Sequence, residues 1–373
     1  MKKFKKLICT LLVVTMIPVF AGCSSSSSSS SNASNDTITV TDNAGNKVEV
    51  PANIERIAVC GIWPLPSVLA VFFNSGDKIV GMPQECMTAA ENGILGELYP
   101  EILEAETGYI KDGELNTEEL LKINPDVVFY NVADSKMGEK LTEAGFCAVG
   151  ISVNKWEYDC IETLNQWIDL LSQMFPEDAK ADIVAKHSED VYNMIQDRVK
   201  DIPDDERANL FFLFQCDETM LGTSGNSFFG SWWAKAIGAK NVADDIEKDN
   251  AVTINMEQIY KYNPEKIFIT NFTKAKPEDL YNNTIGSYDW SKIKAVQDKE
   301  VYKMPLGIYR SYTPCVDTPM TLLWMAKNTY PELFEDIDMT KEVKKYYKEV
   351  FDVELTDKQV ESIFVPSTEG SAY

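Results

Sequence analysis

Arg310 stands between Tyr309 and Tyr312 in the segment Gly307-Ile-Tyr-Arg-Ser-Tyr312. Arginine is scarce in this chain; the four are Arg56, Arg198, Arg207 and Arg310. A guanidinium offers paired N–H donors that suit carboxylate or catecholate oxygens. Flanked by aromatics in a loop, Arg310 is the strongest single candidate for holding a ligand. The alternative is a solvated surface arginine beside packed tyrosines. Trp63 is followed by Pro64 and Pro66. It is set either to stack on a flat ligand face or to pack as core. Gly225-Asn226-Ser227 offers polar groups just before an expected helix, where backbone N–H groups favour anions; a plain helix cap is the competing reading. Gln84, Asn131 and Asn271 add amide side chains in similar loops. Cys86, Met87 and Cys315 are soft potential metal ligands, although such residues more often simply pack.

Other chemistry is poorly supplied. His187 is the one histidine, and it falls on an expected helix away from these loops. Bare zinc or manganese needs several His and carboxylate ligands together, so no intrinsic metal or cofactor is expected. The chain has no G-x-S-x-G elbow, no P-loop and no G-x-G-x-x-G fingerprint, which argues against an enzyme. Of eight cysteines none forms a C-x-x-C pair, so a zinc ribbon or thioredoxin-like motif is not expected. Cys60, Cys147 and Cys216 sit in or beside apolar strand-like runs, and buried free thiols are the preferred reading. The formal charge of −23 excludes non-specific nucleic-acid binding.

The elements that must carry these loops read as alternating strands and helices. Residues 38–50 (ITVTDNAGNKVEV) alternate around Asn-Ala-Gly and predict a hairpin. Short apolar runs at 56–60, 78–81, 126–130 and 147–151 are separated by helical stretches. That pattern predicts a parallel α/β sheet. Pro176 opens a long helix with too few apolar residues to be buried all round, so it reads as a strut between two lobes. The second half restarts with Leu210-Phe-Phe-Leu-Phe214. Residues 116–130 (NTEELLKINPDVVFY) have a counterpart in residues 255–269 (NMEQIYKYNPEKIFI). Each reads as Asn cap, acidic first turn, helix, Asn-Pro, strand. The fold class is therefore α/β, two lobes of one plan with a long helix as strut between them. Ligands of open parallel sheets sit at the carboxyl ends of strands, and the loops named above occupy those ends. The expected division is 37–175, an N-terminal lobe; 176–201, the interlobe helix; and 202–373, a C-terminal lobe with its C-terminal helices.

The N-terminus carries Lys2, Lys3, Lys5 and Lys6, an apolar stretch from Leu7 to Phe20, then Ala21-Gly22-Cys23 and eight serines. This is a secretory signal pattern; about 14 apolar residues are short of the roughly 20 that span a bilayer. The small residues before Cys23 resemble a bacterial lipobox. The resemblance implies a signal peptide over 1–22, acylation of Cys23, and a Ser-rich tether over 23–36. It implies a location on the extracytoplasmic face of the cell membrane, held by lipid alone.

Further segments carry a second resemblance: TVTDNAGNKVEVPANIERIAV, the two Asn-Pro segments, Gly238-Ala-Lys-Asn-Val242, TLLWMAKNTYPELF (321–334) and YKEVFDVELTDKQVESIF (347–364). Their order and spacing resemble substrate-binding lipoproteins of ABC importers for iron–siderophore, haem and cobalamin, a resemblance that implies two Rossmann-like α/β lobes joined by a single long rigid helix, with the ligand cleft between the lobes. The resemblance implies capture of an organic metal chelate and delivery to a permease dimer with its ATPase, by a monomer. It implies that Glu118 and Glu257, seven residues before Pro125 and Pro264, dock into arginine pockets on the permease. Helix-dipole complementation is the simpler role for acids at these positions. Ligand contacts are expected from Trp63, Gln84, Cys86, Asn131, Asn226, Ser227, Asn271, Tyr309, Arg310 and Tyr312. The lone histidine weighs against haem, and few arginines weigh against a highly anionic ferric siderophore, leaving a corrinoid or another chelate open, as well as an adhesin or sensor on the same fold.

Overall fold

The computed structural model describes residues 37–373, apart from 112, 178–180 and 372–373. The signal segment, Cys23 and the serine tether lie outside the described residues. Thr37–Thr41 pairs antiparallel with Lys47–Pro51, Val40 opposite Val48, so the alternating segment forms its hairpin. Four parallel strands then build the first sheet in the spatial order Ile79–Gly81, Ile57–Cys60, Val127–Asn131, Ala148–Ile151. Every residue of Ile57–Cys60 is buried, as a central strand covered on both faces requires.

The second lobe repeats that plan. Its parallel sheet runs Lys240–Asn241, Asn209–Leu213, Lys266–Ile269, Val301–Lys303. In both sheets the second strand in chain order lies outside the first, followed by the third and fourth. The twin segments explain part of the symmetry. Helices Thr117–Ile123 and Met256–Tyr262 each end on a left-handed asparagine, Asn124 (φ 51°) and Asn263 (φ 41°). The acid after each Asn-Pro then ties down the lobe's first strand. The Asp126 carboxylate accepts from the N–H groups of Glu55 and Arg56 at 2.8 and 2.9 Å, and that of Glu265 accepts from Asn209 N–H at 3.0 Å. Before its twin helix the first lobe has a short antiparallel pair, Ile110–Lys111 with Glu114–Leu115, and the second lobe a larger sheet. Gln215–Cys216, Leu221–Ser224 and Ala251–Ile254 form an antiparallel sheet.

The helix Ala181–Val199 packs against Cys160–Met174 and Thr318–Thr329. Its Val184 enters the core of the first lobe, and its Ile195 and Val199 enter that of the second. The one histidine is half-buried on this helix. His187 lies edge-on to Tyr346, with Nε2 3.3 Å from Glu349.

The sequence division needs one amendment. The helices Met339–Phe351 and Asp357–Phe364, expected with the second lobe, send Val343, Tyr346, Tyr347, Val350, Phe351, Val360 and Ile363 into the first lobe's core beside Val68 and Phe72. The chain therefore crosses between lobes again after the strut. Among the described residues six cysteines are free thiols; Cys147 is half-buried and the other five are buried.

Candidate functional site

The carboxyl ends of the two parallel sheets face one cleft, and the loops leaving them meet there. After Ile57–Cys60 the chain turns at Gly61, whose φ of 74° is one that glycine adopts without strain. This turn brings Trp63 across to the second lobe. Its indole stacks on Phe272, ring centroids 6.1 Å apart and planes inclined by 28°. Phe272 follows the strand Lys266–Ile269 and stacks in turn on Phe214 at 5.1 Å. Phe228 and Tyr312 extend this aromatic wall, 5.8 and 5.6 Å from Phe214.

Arg310 lies against the same wall, its guanidinium 5.3 Å from the Phe272 ring and 5.9 Å from Tyr309. It is fully buried, which removes the solvated-arginine reading. Nε donates to Gly370 O at 3.1 Å and Nη2 to Glu85 O at 3.3 Å. The arginine thus touches both the first lobe and the segment Thr368–Ser371. Its loop is fixed from behind by Asp317, which accepts from Ile308 N–H at 2.6 Å and from the Tyr347 hydroxyl at 2.7 Å. Burial pushes the Asp317 carboxyl up to about 6.

A second cation stands nearby, and the sequence reading did not single it out. Lys303 ends the strand Val301–Lys303, and its ammonium donates to the carbonyls of Thr270, Thr273 and Ala275 at 2.8, 2.6 and 3.0 Å. Burial, reinforced by the positive Arg310, pulls it down to about 7. Its signal was a lysine ending an otherwise apolar strand, directly before a cleft loop.

The other expected ligand residues divide. Cys86 and Tyr309 gather around Trp63: the Cys86 thiol donates to Trp63 O at 3.0 Å, and Tyr309 packs with Ala89, Cys315 and Trp63. Burial raises the Cys86 thiol well above its usual range, so it stays protonated and is a poor metal ligand. Asn271 is buried and donates to Met304 O at 2.9 Å. Tyr312 is core, packed among Phe212, Phe214 and Phe229. Gln84 is exposed and accepts from Thr107 at 3.0 Å, while Asn131 accepts from Ala133 N–H at 3.0 Å. Asn226 and Ser227 bond each other at 2.9 Å, and Asn226 N–H is taken by Ile246 O, so this turn presents fewer donors than expected. They line a separate groove of about 720 Å³ with Lys155, Trp156, Trp232 and Lys235. Phe228 connects that groove to the aromatic wall.

Glu118 and Glu257 sit at equivalent places on the twin helices, and both are exposed. On the second helix the capping box is complete between Asn255 and Gln258. On the first, Asn116 accepts from Glu118 N–H and Glu119 N–H, but the Glu119 carboxylate turns to Lys122 at 2.6 Å. Neither Glu118 nor Glu257 joins an ion pair among the described residues.

Among the described residues no group of three or more His, Cys, Asp and Glu could hold a metal ion, and no helix is long and apolar enough to cross a membrane. Trp63 and Arg310 thus meet on the Phe272 ring. The family described as periplasmic binding protein matches residues 97–306. This chain belongs to that family. A molybdate-binding protein, MolA, of Haemophilus influenzae is 27% identical over 337 residues, covering 84% of this chain and 90% of its own. An uncharacterized ABC transporter substrate-binding lipoprotein, YvrC, of Bacillus subtilis is 23% identical over 305 residues, covering 80% and 87%. The crystal structure of a periplasmic solute binding protein from Veillonella parvula superposes with a TM-score of 0.78 at 27% identity, covering 88% of this chain and 97% of that one. As a periplasmic binding protein of two α/β lobes, the molecule is a solute-binding component of the ABC-importer type, and the cleft is the place its architecture provides for the solute.

Proposed function

We propose that this protein captures a compact anionic solute, a tetrahedral oxyanion of the molybdate class, and delivers it to an ABC permease. The observation that carries this reading is the contact of Trp63, Phe272 and Arg310 around one ring. Arg310 and Lys303 supply positive charge in a dry cleft, where charge-assisted hydrogen bonds to an oxyanion are strong. The similarity to a protein named for molybdate binding points the same way. The groove beside Asn226 and Ser227 favours a second reading. Its volume of about 720 Å³ lies in the range of pockets for drug-sized ligands, and Trp156, Trp232, Lys155 and Lys235 suit an anionic organic chelate such as a ferric siderophore. In both readings Cys23 anchors the protein through acyl chains, and Glu118 and Glu257 engage the permease. Calorimetric titration with molybdate, tungstate, sulfate, ferric catecholate and hydroxamate chelates, haem and cobalamin decides between them. Saturable binding of an oxyanion supports the first reading; binding of a chelate alone overturns it.

A further inference from the structure

The segment Thr368–Ser371 spans the cleft like a strap. It packs on the first-lobe helix Gln84–Asn92. On the other side Glu369 pairs with Lys274 of the second lobe at 2.8 Å, an exposed contact. Between these ends, Gly370 O accepts from Arg310 Nε. The fit at this point is close. A Cβ on Gly370 would lie 2.6 Å from Leu306 Cδ2 and 3.1 Å from Asn92 Cβ.

From this arrangement we propose that the strap Thr368–Ser371 is an intramolecular competitor for the solute, its Gly370 carbonyl serving Arg310 until an oxyanion takes its place. A buried guanidinium N–H left without an acceptor is costly, and Gly370 O supplies one to Nε. A neutral carbonyl meets that need, and an anionic oxygen outbids it because it adds a direct charge–charge attraction to the guanidinium, which is strong away from water. The strap also spans both lobes, so its release frees them to part for solute entry. The inference rests on the reading of Arg310 as the anion-binding residue. It sets the apparent affinity: when only a fraction of molecules has the strap open, the apparent Kd is the intrinsic Kd divided by that fraction.

The test uses the full chain with Lys274→Gln, which removes the exposed pin without touching the cleft. Loss of a cation weakens anion binding by simple electrostatics, whereas release of the strap tightens it, so the two effects have opposite signs. An exposed pair of this kind predicts molybdate binding about 1.5- to 5-fold tighter. Gly370→Ala, which drives a methyl group into Leu306 and Asn92, should act in the same direction. Molybdate affinity unchanged or weaker in both variants overturns the proposal while leaving the oxyanion reading intact. Hydrogen exchange without solute gives an independent readout. Lys274→Gln should speed exchange at Gly370 and Ser371 and at Gly61–Trp63, and unchanged exchange overturns the strap. If neither parent nor variants bind any oxyanion, the oxyanion reading fails and the proposal of a competitor for it falls too.

Discussion

The indole of Trp63 and the ring of Phe272 lie stacked across the cleft, 6.1 Å apart, one from each lobe. Trp63 leaves the carboxyl end of the first sheet's central strand, and Phe272 leaves the neighbouring strand's end in the second. Their contact makes the cleft narrow at the point where Arg310 meets the same ring. The Trp63 carbonyl is itself held by the Cys86 thiol, so the indole is supported from within its own lobe.

A double-mutant cycle measures this contact. Trp63→Ala and Phe272→Ala should each destabilise the protein, and the pair should show a coupling of about 0.5–1.5 kcal/mol, the usual extent for stacked aromatics beyond area burial. Strictly additive losses in chemical denaturation would mean that the two rings do not depend on each other.

Lys303 gives the binding reaction a pH dependence. Burial and the nearby Arg310 hold its ammonium down at about 7, while three carbonyls accept from it. Raising the pH through about 7 removes that positive charge, so oxyanion affinity should fall from pH 6 to pH 8. The fall should be absent in Lys303→Gln. A flat profile in the parent protein contradicts this assignment.

Asp317 gives folding stability a pH dependence of its own. Its folded value of about 6 lies above that of an unfolded carboxylate. The stability it contributes is therefore fully present below about 4 and is lost as pH rises through about 6. The difference in unfolding free energy between the parent and Asp317→Asn should shrink for the parent across that window. A difference that does not vary between pH 4 and pH 6 would show that the carboxyl titrates normally.

Glu118 and Glu257 should matter for transport and not for capture. Both are exposed on equivalent helices, and truncation of surface groups away from packed features rarely shifts stability by more than about 0.5 kcal/mol. Solute uptake by cells carrying Glu118→Ala with Glu257→Ala should be lost, while the purified double variant keeps its parent Kd. Undiminished uptake sinks the docking role.

Much of the fold was legible because it is written locally and twice. Asn116 and Asn255 cap helices, and Asn124 and Asn263 end them in the left-handed conformation. These are short-range signals, and repeating them at one offset revealed two lobes of one design. The path of the last helices was not legible. Val343, Tyr346 and Val350 announce an apolar face in Met339–Phe351, but periodicity says only that the face must be buried, not against which lobe. The site shows the same division. The loops at strand ends were findable, and Trp63, Cys86, Tyr309 and Arg310 do come together. Gln84 turned instead to Thr107, and Tyr312 into the core. Arg310 donates to Gly370, sixty residues further on, a separation that no local pattern encodes.

The central claim is that Arg310 holds a compact anion between the lobes. Its most direct test is calorimetric titration of molybdate into the parent protein and into Arg310→Gln. The account predicts saturable 1:1 binding by the parent, and an affinity at least about tenfold weaker in the variant, the loss of one charge-assisted contact. Equal affinity in the two proteins, or binding of an organic chelate with no response to molybdate, would contradict it.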